Sequence, residues 1–242
     1  MAGQLTVVTG GSRGIGAAIC RRLAAEGQDV VITYLRDSDA ADEVAADVRR
    51  LGQRALVLQT DTTEEHSVVE LFDRAQAFGP LTGLVNNAGS ASAVGPLEGN
   101  SLQAISQDLN VNLLGVISCI KYAIGPMSQA GGGSIVNISS AAATLGGAGT
   151  YVHYAAAKAA VEALTVGLSK ELAGKNIRVN AVAPGTLWTD FHQDPDRPAK
   201  IAPTIPMGRA GQPHEIAGAV AWLLSDDASY ATGATIRIAG GL

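Results

Sequence analysis

At 242 residues, 47% of them hydrophobic and 16% charged, the chain can bury a large core, which excludes a disordered polypeptide. A net charge of −5 excludes capture of nucleic acid or of an anionic bilayer by the body as a whole. Cys20 and Cys119 fall in apolar helical patterns, as core filler rather than disulfide partners or metal ligands, and fit a reducing, cytoplasmic setting.

In chain order, "LTVVTG" (5–10) reads as a strand with no basic, apolar leader before it. A glycine-rich turn follows, then a helix near 14–26, the strand "DVVITYL" (29–35) and a helix near 39–51. Next come the strand "RALVLQTD" (54–61), a helix near 64–78 and the strand "GLVNNAG" (83–89). A long helix near 101–129 leads to "GSIVNISS" (133–140), a helix near 152–173 and "IRVNAVAPG" (177–185). Residues 190–213 hold five of the nine prolines and little periodicity, which marks a substrate loop or lid. A helix near 213–225 and the strand "ATIRIAG" (234–240) close the chain. No run of about 18 apolar residues occurs, so no membrane span is expected. Continuous Val/Ile/Leu strands alternating with helices predict a Rossmann-like, doubly wound parallel sheet of about seven strands, α/β in class, in a single domain over 1–242.

The turn "TGGSRGIG" (9–16) joins the first strand to the first helix. Gly10, Gly14 and Gly16 let the backbone approach a pyrophosphate, and the helix start offers free N–H groups to it. The second strand ends in "ITYLRD", without the acidic residue that receives the ribose hydroxyls of NAD. Arg13 and Arg36 instead suit the 2′-phosphate of NADP(H), which guanidinium groups grip in a forked geometry. Asp37 leaves the reading open, because it can pair with Arg36 or reach the ribose itself.

In "YVHYAAAKAA" (151–160), Tyr154 and Lys158 stand one helical turn apart, while Tyr151 is a turn further away. A ketone that receives hydride needs a proton on its oxygen. A tyrosine can give it, and a nearby ammonium would lower the tyrosine's pKa toward the working range. The four histidines are scattered without ligand spacing, so no metal is expected.

"TGGSRGIG", "NNAG" (86–89), Asn112, "ISS" (138–140), "YAAAK" (154–158) and "PG" (184–185) occur in the order seen in the classical short-chain dehydrogenase/reductase family, which the whole chain resembles. "IPMGR" (205–209) and the ending "TGATIRIAGGL" are similar to the branch of 3-oxoacyl-carrier-protein reductases and bacterial ketoreductases. The resemblance implies a catalytic tetrad. Tyr154 is the acid/base, Lys158 lowers its pKa and holds the nicotinamide ribose, Ser140 bonds the substrate oxygen, and Asn112 holds a relay water. Tyr151, Ser139 and Asn110 are the neighbours not chosen. It further implies cofactor contacts from Gly10, Ser12, Arg13, Gly14, Ile15, Gly16 and Arg36. Asp61 meets the adenine unless it is only a helix cap. Asn86, Asn87, Ala88 and Gly89 lie on the adenosine ribose side, and Pro184, Gly185, Leu187 and Thr189 at the nicotinamide. Trp188, Phe191 and His192 suggest an aromatic-lined pocket.

The implied activity is NADP(H)-dependent hydride transfer between nicotinamide and a small carbonyl or alcohol substrate. A 3-oxoacyl-carrier-protein reductase is the alternative. It needs a basic docking face, yet "SQAGGG" (128–133) carries no charge and only Lys175 remains nearby. A non-catalytic nucleotide binder would have no need to keep the full tetrad. Apolar surplus on the helices near 101–129 and 152–173, with the family's interfaces, implies a homotetramer.

Overall fold

The computed structural model describes residues 3–242. Seven strands form one sheet: β1 (Leu5–Val8), β2 (Asp29–Tyr34), β3 (Ala55–Gln59), β4 (Leu81–Asn86), β5 (Gly133–Ile138), β6 (Ile177–Pro184) and β7 (Thr235–Ile238). All neighbours pair in parallel, in the order β3-β2-β1-β4-β5-β6-β7. The chain runs outward from β1 to β3, returns to place β4 beside β1, and then runs outward again. The reversal leaves a crevice at the carboxyl ends of β1 and β4, where open α/β sheets bind ligands.

The helices are α1 (Gly14–Ala25), α2 (Ser38–Arg50), α3 (Glu65–Phe78), α4 (Leu102–Leu109), α5 (Gly115–Gln129), α6 (Ala142–Leu145), α7 (Val152–Leu172), α8 (Arg197–Ile201) and α9 (Pro213–Leu224). Alternation along the strands divides the core in two. Val8, Val30, Ile32, Val136 and Val182 pack with Ile19 and Leu23 of α1, Val44 and Val48 of α2, and Val220 and Leu223 of α9. Val7, Val31, Leu84, Ile135 and Val179 pack on the other face with Leu71 of α3, Ile120 and Met127 of α5, and Val161 and Leu172 of α7. The parallel, doubly covered sheet expected from the Val/Ile/Leu runs is the one observed.

Two features differ from the sequence reading. The strands stop short of the predicted carboxyl ends, β1 at Val8 rather than 10, β4 at Asn86 rather than 89 and β5 at Ile138 rather than 140. There the chain peels off the ladder, while single bonds persist: Thr9 N–H to Val85 O at 3.0 Å and Ser139 N–H to Val182 O at 2.7 Å. The peeled residues, Thr9 and Gly10, Asn87 to Gly89, and Ser139 and Ser140, are small or polar and lie at the crevice. The 101–129 helix is a 28-residue stretch, Leu102–Gln129, broken by a π turn at Asn110–Leu114. It is long and apolar enough to cross a membrane by length and composition, against the expectation, but its inner face packs on α3 and β4. The π turn turns Asn112 fully inward.

Candidate active site

The turn after β1 is shaped by three glycines. Gly10 and Gly14 have φ of +62° and +54°, which a side chain would strain. A Cβ on Gly16 would lie 2.2 Å from Gly10 O and 2.6 Å from Asn87 Nδ2, so only glycine lets α1 start so close under the turn. Asn87 ties the turn to the end of β4: Nδ2 donates to Thr9 O at 2.9 Å and to Gly10 O at 3.0 Å. Thr9 Oγ1 accepts from the Asn87 and Ala88 amides, both at 3.0 Å. Asn87 is thus bound up in the scaffold. The Asn86 amide faces away from the crevice, with Nδ2 on Asn137 Oδ1 at 2.8 Å. Gly14 faces Thr189, whose Cγ2 lies 3.5 Å from a Cβ built there, so the turn and the segment after β6 meet.

No side chain caps α1 at its N-terminus. Uncapped amides, the positive dipole end and glycines without side chains fit a pyrophosphate. Ser12 and Ile15 lie in the same turn. Arg13 and Arg36 are exposed, and among the described residues neither has a carboxylate partner. Asp37 does not pair with Arg36. Its Oδ1 accepts from Ala40 N at 3.0 Å and caps α2. Asp61 forms a local turn, Oδ1 accepting from Thr63 N at 2.9 Å and Thr63 Oγ1 at 2.7 Å, rather than capping α3, which begins at Glu65.

The catalytic candidates meet where β4, β5 and α7 converge. Tyr154 and Lys158, 8% and 3% exposed, face inward from α7. Lys158 Nζ donates to Ile138 O at 2.8 Å and lies 5.6 Å from the Tyr154 ring centroid. Ser140 lies beside the Tyr154 hydroxyl, its Oγ accepting from Ala142 N at 3.1 Å. Ser139, just past the end of β5, turns the other way and donates to Glu162 Oε1 at 2.8 Å. Asn112 donates from Nδ2 to Ser90 O at 2.6 Å and Asp108 O at 2.8 Å, while its Oδ1 is buried without a partner. That oxygen and Lys158 Nζ flank Gly89, 3.0 Å and 3.8 Å from a Cβ built there. At the nicotinamide end, Pro184 closes β6, and Gly185 passes against Ala239, where a Cβ would lie 2.8 Å from Ala239 Cα. Leu187 is buried and bridges Gly211.

The expected depression of the tyrosine pKa is not what this geometry produces. Burial dominates and raises Tyr154, the neighbouring Ser140 hydroxyl works against it, and the charges of Tyr151 and Asp108 add to the rise. Burial also pulls Lys158 down to about 8. The ammonium bonds a carbonyl rather than the phenol, so desolvation wins.

The sequence reading missed Asp108. This 1% exposed carboxylate accepts from Ser90 Oγ at 2.7 Å, Ser92 N and Oγ at 2.9 Å and Ala93 N at 3.0 Å, and receives His153 Nε2–H at 3.1 Å. Those bonds hold its pKa below the ordinary value against the cost of burial. The couple ties the loop after β4 to the first turn of α7, directly before Tyr154. An aspartate four residues ahead of Asn112 on one helix was the available signal. Phe191 stands over Tyr154 with ring centroids 5.8 Å apart, and Gln193 Nε2 donates to Ser92 O at 3.1 Å, fastening 190–213 across the crevice.

Comparison with known proteins agrees with this fold. A family model described as Enoyl-(Acyl carrier protein) reductase matches residues 10–242. The uncharacterized oxidoreductase YgfF of Escherichia coli is 44% identical, over 98% of this chain and 99% of its own length. The cis-4-hydroxycyclohexanecarboxylate dehydrogenase of Sinomonas cyclohexanicum is 43% identical, over 98% and 96%. A blue fluorescent protein from a metagenomic library, solved in complex with NADPH, superposes with a TM-score of 0.90 at 35% identity, over 98% and 97%.

Proposed function

The chain belongs to the short-chain dehydrogenase/reductase family, and from that premise we propose that it transfers hydride between NADP(H) and a carbonyl or alcohol substrate, with Tyr154 as the acid/base. The carrying observation is the convergence of Tyr154, Ser140, Lys158 and Asn112 beside an uncapped helix start at the sheet's switch point. The nicotinamide, when bound, supplies or accepts the hydride. In reduction Tyr154 gives its hydroxyl proton to the substrate oxygen, and in oxidation it takes one back. Burial holds Tyr154 as the neutral phenol that carries this proton. Ser140, beside the tyrosine oxygen, offers a bond to the substrate oxygen. Lys158, anchored on Ile138 O, has further donors for the ribose hydroxyls. The unpartnered Asn112 Oδ1 is an acceptor for a relay water that resupplies the proton past Lys158. Tyr154→Phe should lose nearly all turnover and still bind NADPH, while Tyr151→Phe keeps substantial activity. Equal losses in both would refute the assignment.

Preference for NADP(H) rests on Arg13 and Arg36, both without carboxylate partners, and on Asp37 being occupied as a helix cap. Arg36→Asp should then shift preference toward NADH. Wild-type protein that uses both cofactors equally well would remove this claim. A homotetramer is supported by apolar residues left open on the two candidate interface helices. Val166 of α7 is 42% exposed and Ile117 of α5 is 38% exposed. The two free, buried thiols suit a reducing compartment such as the cytoplasm. The matched model's description favours a carrier-protein substrate as the second reading. The uncharged 128–133 segment weighs against it.

A further inference from the structure

Residues 190–213 carry a cation that the reaction above does not use. Arg197 opens α8 and is half-buried. Its Nη2 donates to the Tyr151 hydroxyl at 3.3 Å, and its guanidinium carbon lies 5.5 Å from the Tyr151 ring centroid. That ring stands edge-on to Tyr154, with centroids 5.2 Å apart. One aromatic ring therefore separates the guanidinium from the proposed acid/base.

The ring is held in place. Gly147, with φ of +59°, lets the loop pack against it, and a Cβ there would lie 2.9 Å from Tyr151 Cδ2. Arg197 Nε is buried and makes no hydrogen bond. Among the described residues no carboxylate pairs with Arg197. Asp194 is taken by Lys200 at 2.7 Å, Asp196 is exposed, and Asp108 is enclosed by its serines, Ala93 and His153. His192, beside Phe191, spends its Nε2–H on Leu187 O at 3.1 Å. Beyond the Tyr151 ring the chain of contacts is aromatic, Tyr151 against Tyr154 and Tyr154 against Phe191. A buried arginine donor without an anion is costly, and the guanidinium fork matches a carboxylate better than any neutral group.

We infer that the substrate is an oxo-carboxylate with an apolar body, or the matching hydroxy-carboxylate in the reverse direction, whose carboxylate is bound by Arg197 while its carbonyl lies at Tyr154. The inference rests on the reductase reading of Tyr154. The one-ring offset sets the spacing. A 2-oxo acid carries its carboxylate next to the reacting carbon and falls short, whereas a carboxylate several bonds away reaches.

The test compares 4-oxocyclohexanecarboxylate with its methyl ester, using NADPH oxidation by the wild-type enzyme and by Arg197→Gln. Glutamine removes the charge and keeps a donor for Tyr151. Wild-type kcat/KM should favour the acid by about tenfold or more, the range of a charge-assisted hydrogen bond, and Arg197→Gln should bring the ratio close to one. A wild-type ratio at or below one, or a ratio unchanged in the variant, overturns the inference and leaves the reductase reading standing. Turnover of neither ketone, with NADPH still bound, defeats the reductase reading instead. Calorimetric titration then decides Arg197 without turnover. Cyclohexanecarboxylate should bind wild type about tenfold more tightly than cyclohexanecarboxamide and lose that advantage in Arg197→Gln. Equal binding of acid and amide by wild type overturns the inference.

Discussion

Replacing Lys158 by methionine removes a charge that the fold buries at a cost. Lys158 is 3% exposed, and burial pulls it from 10.5 to about 8. In the unfolded chain the amine regains its ordinary value. Between pH 8 and 10.5 the unfolded state therefore holds the extra proton, and stability rises with pH across that window. At about 1.4 kcal/mol per pH unit the shift corresponds to roughly 3 kcal/mol, a cost present in full below pH 8 and relieved by pH 10.5. Methionine is a flexible, uncharged gap-filler of similar reach. It also strands Ile138 O, which costs about 1–3 kcal/mol at every pH. The two effects oppose each other at neutral pH, so the decisive quantity is the difference between pH values. Urea titrations at fixed protein concentration should show wild type gaining roughly 2–3 kcal/mol on Lys158→Met between pH 7 and pH 10. Stability curves that run parallel over that range would refute the buried-ammonium reasoning.

Asp108→Asn places an amide donor among four donating groups and leaves His153 without its carboxylate, for a cost of about 3–5 kcal/mol in urea unfolding at neutral pH. Because Asp108 has a depressed pKa, its contribution is complete above 3.8 and lost as pH falls below that value, so the gap between variant and wild type should close in acid. A gap that persists there would mean packing, not charge, is what the carboxylate supplies. Gly16→Ala drives a Cβ into Gly10 O and should weaken NADPH binding by tenfold or more in a fluorescence titration, with unchanged affinity counting against the glycine turn as the cofactor site. Val166→Glu puts a charge on the open face of α7 and should dissociate the proposed tetramer in light scattering. A wild-type monomer with full activity removes the assembly claim.

Periodicity settles much of this protein before any folding is considered. Unbroken Val/Ile/Leu strands admit only a sheet covered on both faces, and Val7 and Val8 fall into opposite cores because side chains alternate. Short-range chemistry is likewise local. The choice of Tyr154 follows from its i, i+4 spacing to Lys158. What depends on groups far apart in the chain is decided only by tertiary structure. Asp108 and His153 are 45 residues apart, and nothing in either local pattern announces their bond. Asp37 reads as a partner for Arg36 until its Oδ1 is seen to cap α2 through Ala40 N. The tyrosine's proton affinity shows the difference most clearly. A lysine one turn away suggests a lowered pKa, but desolvation depends on how completely the surrounding chain excludes water, and in the folded protein burial raises it.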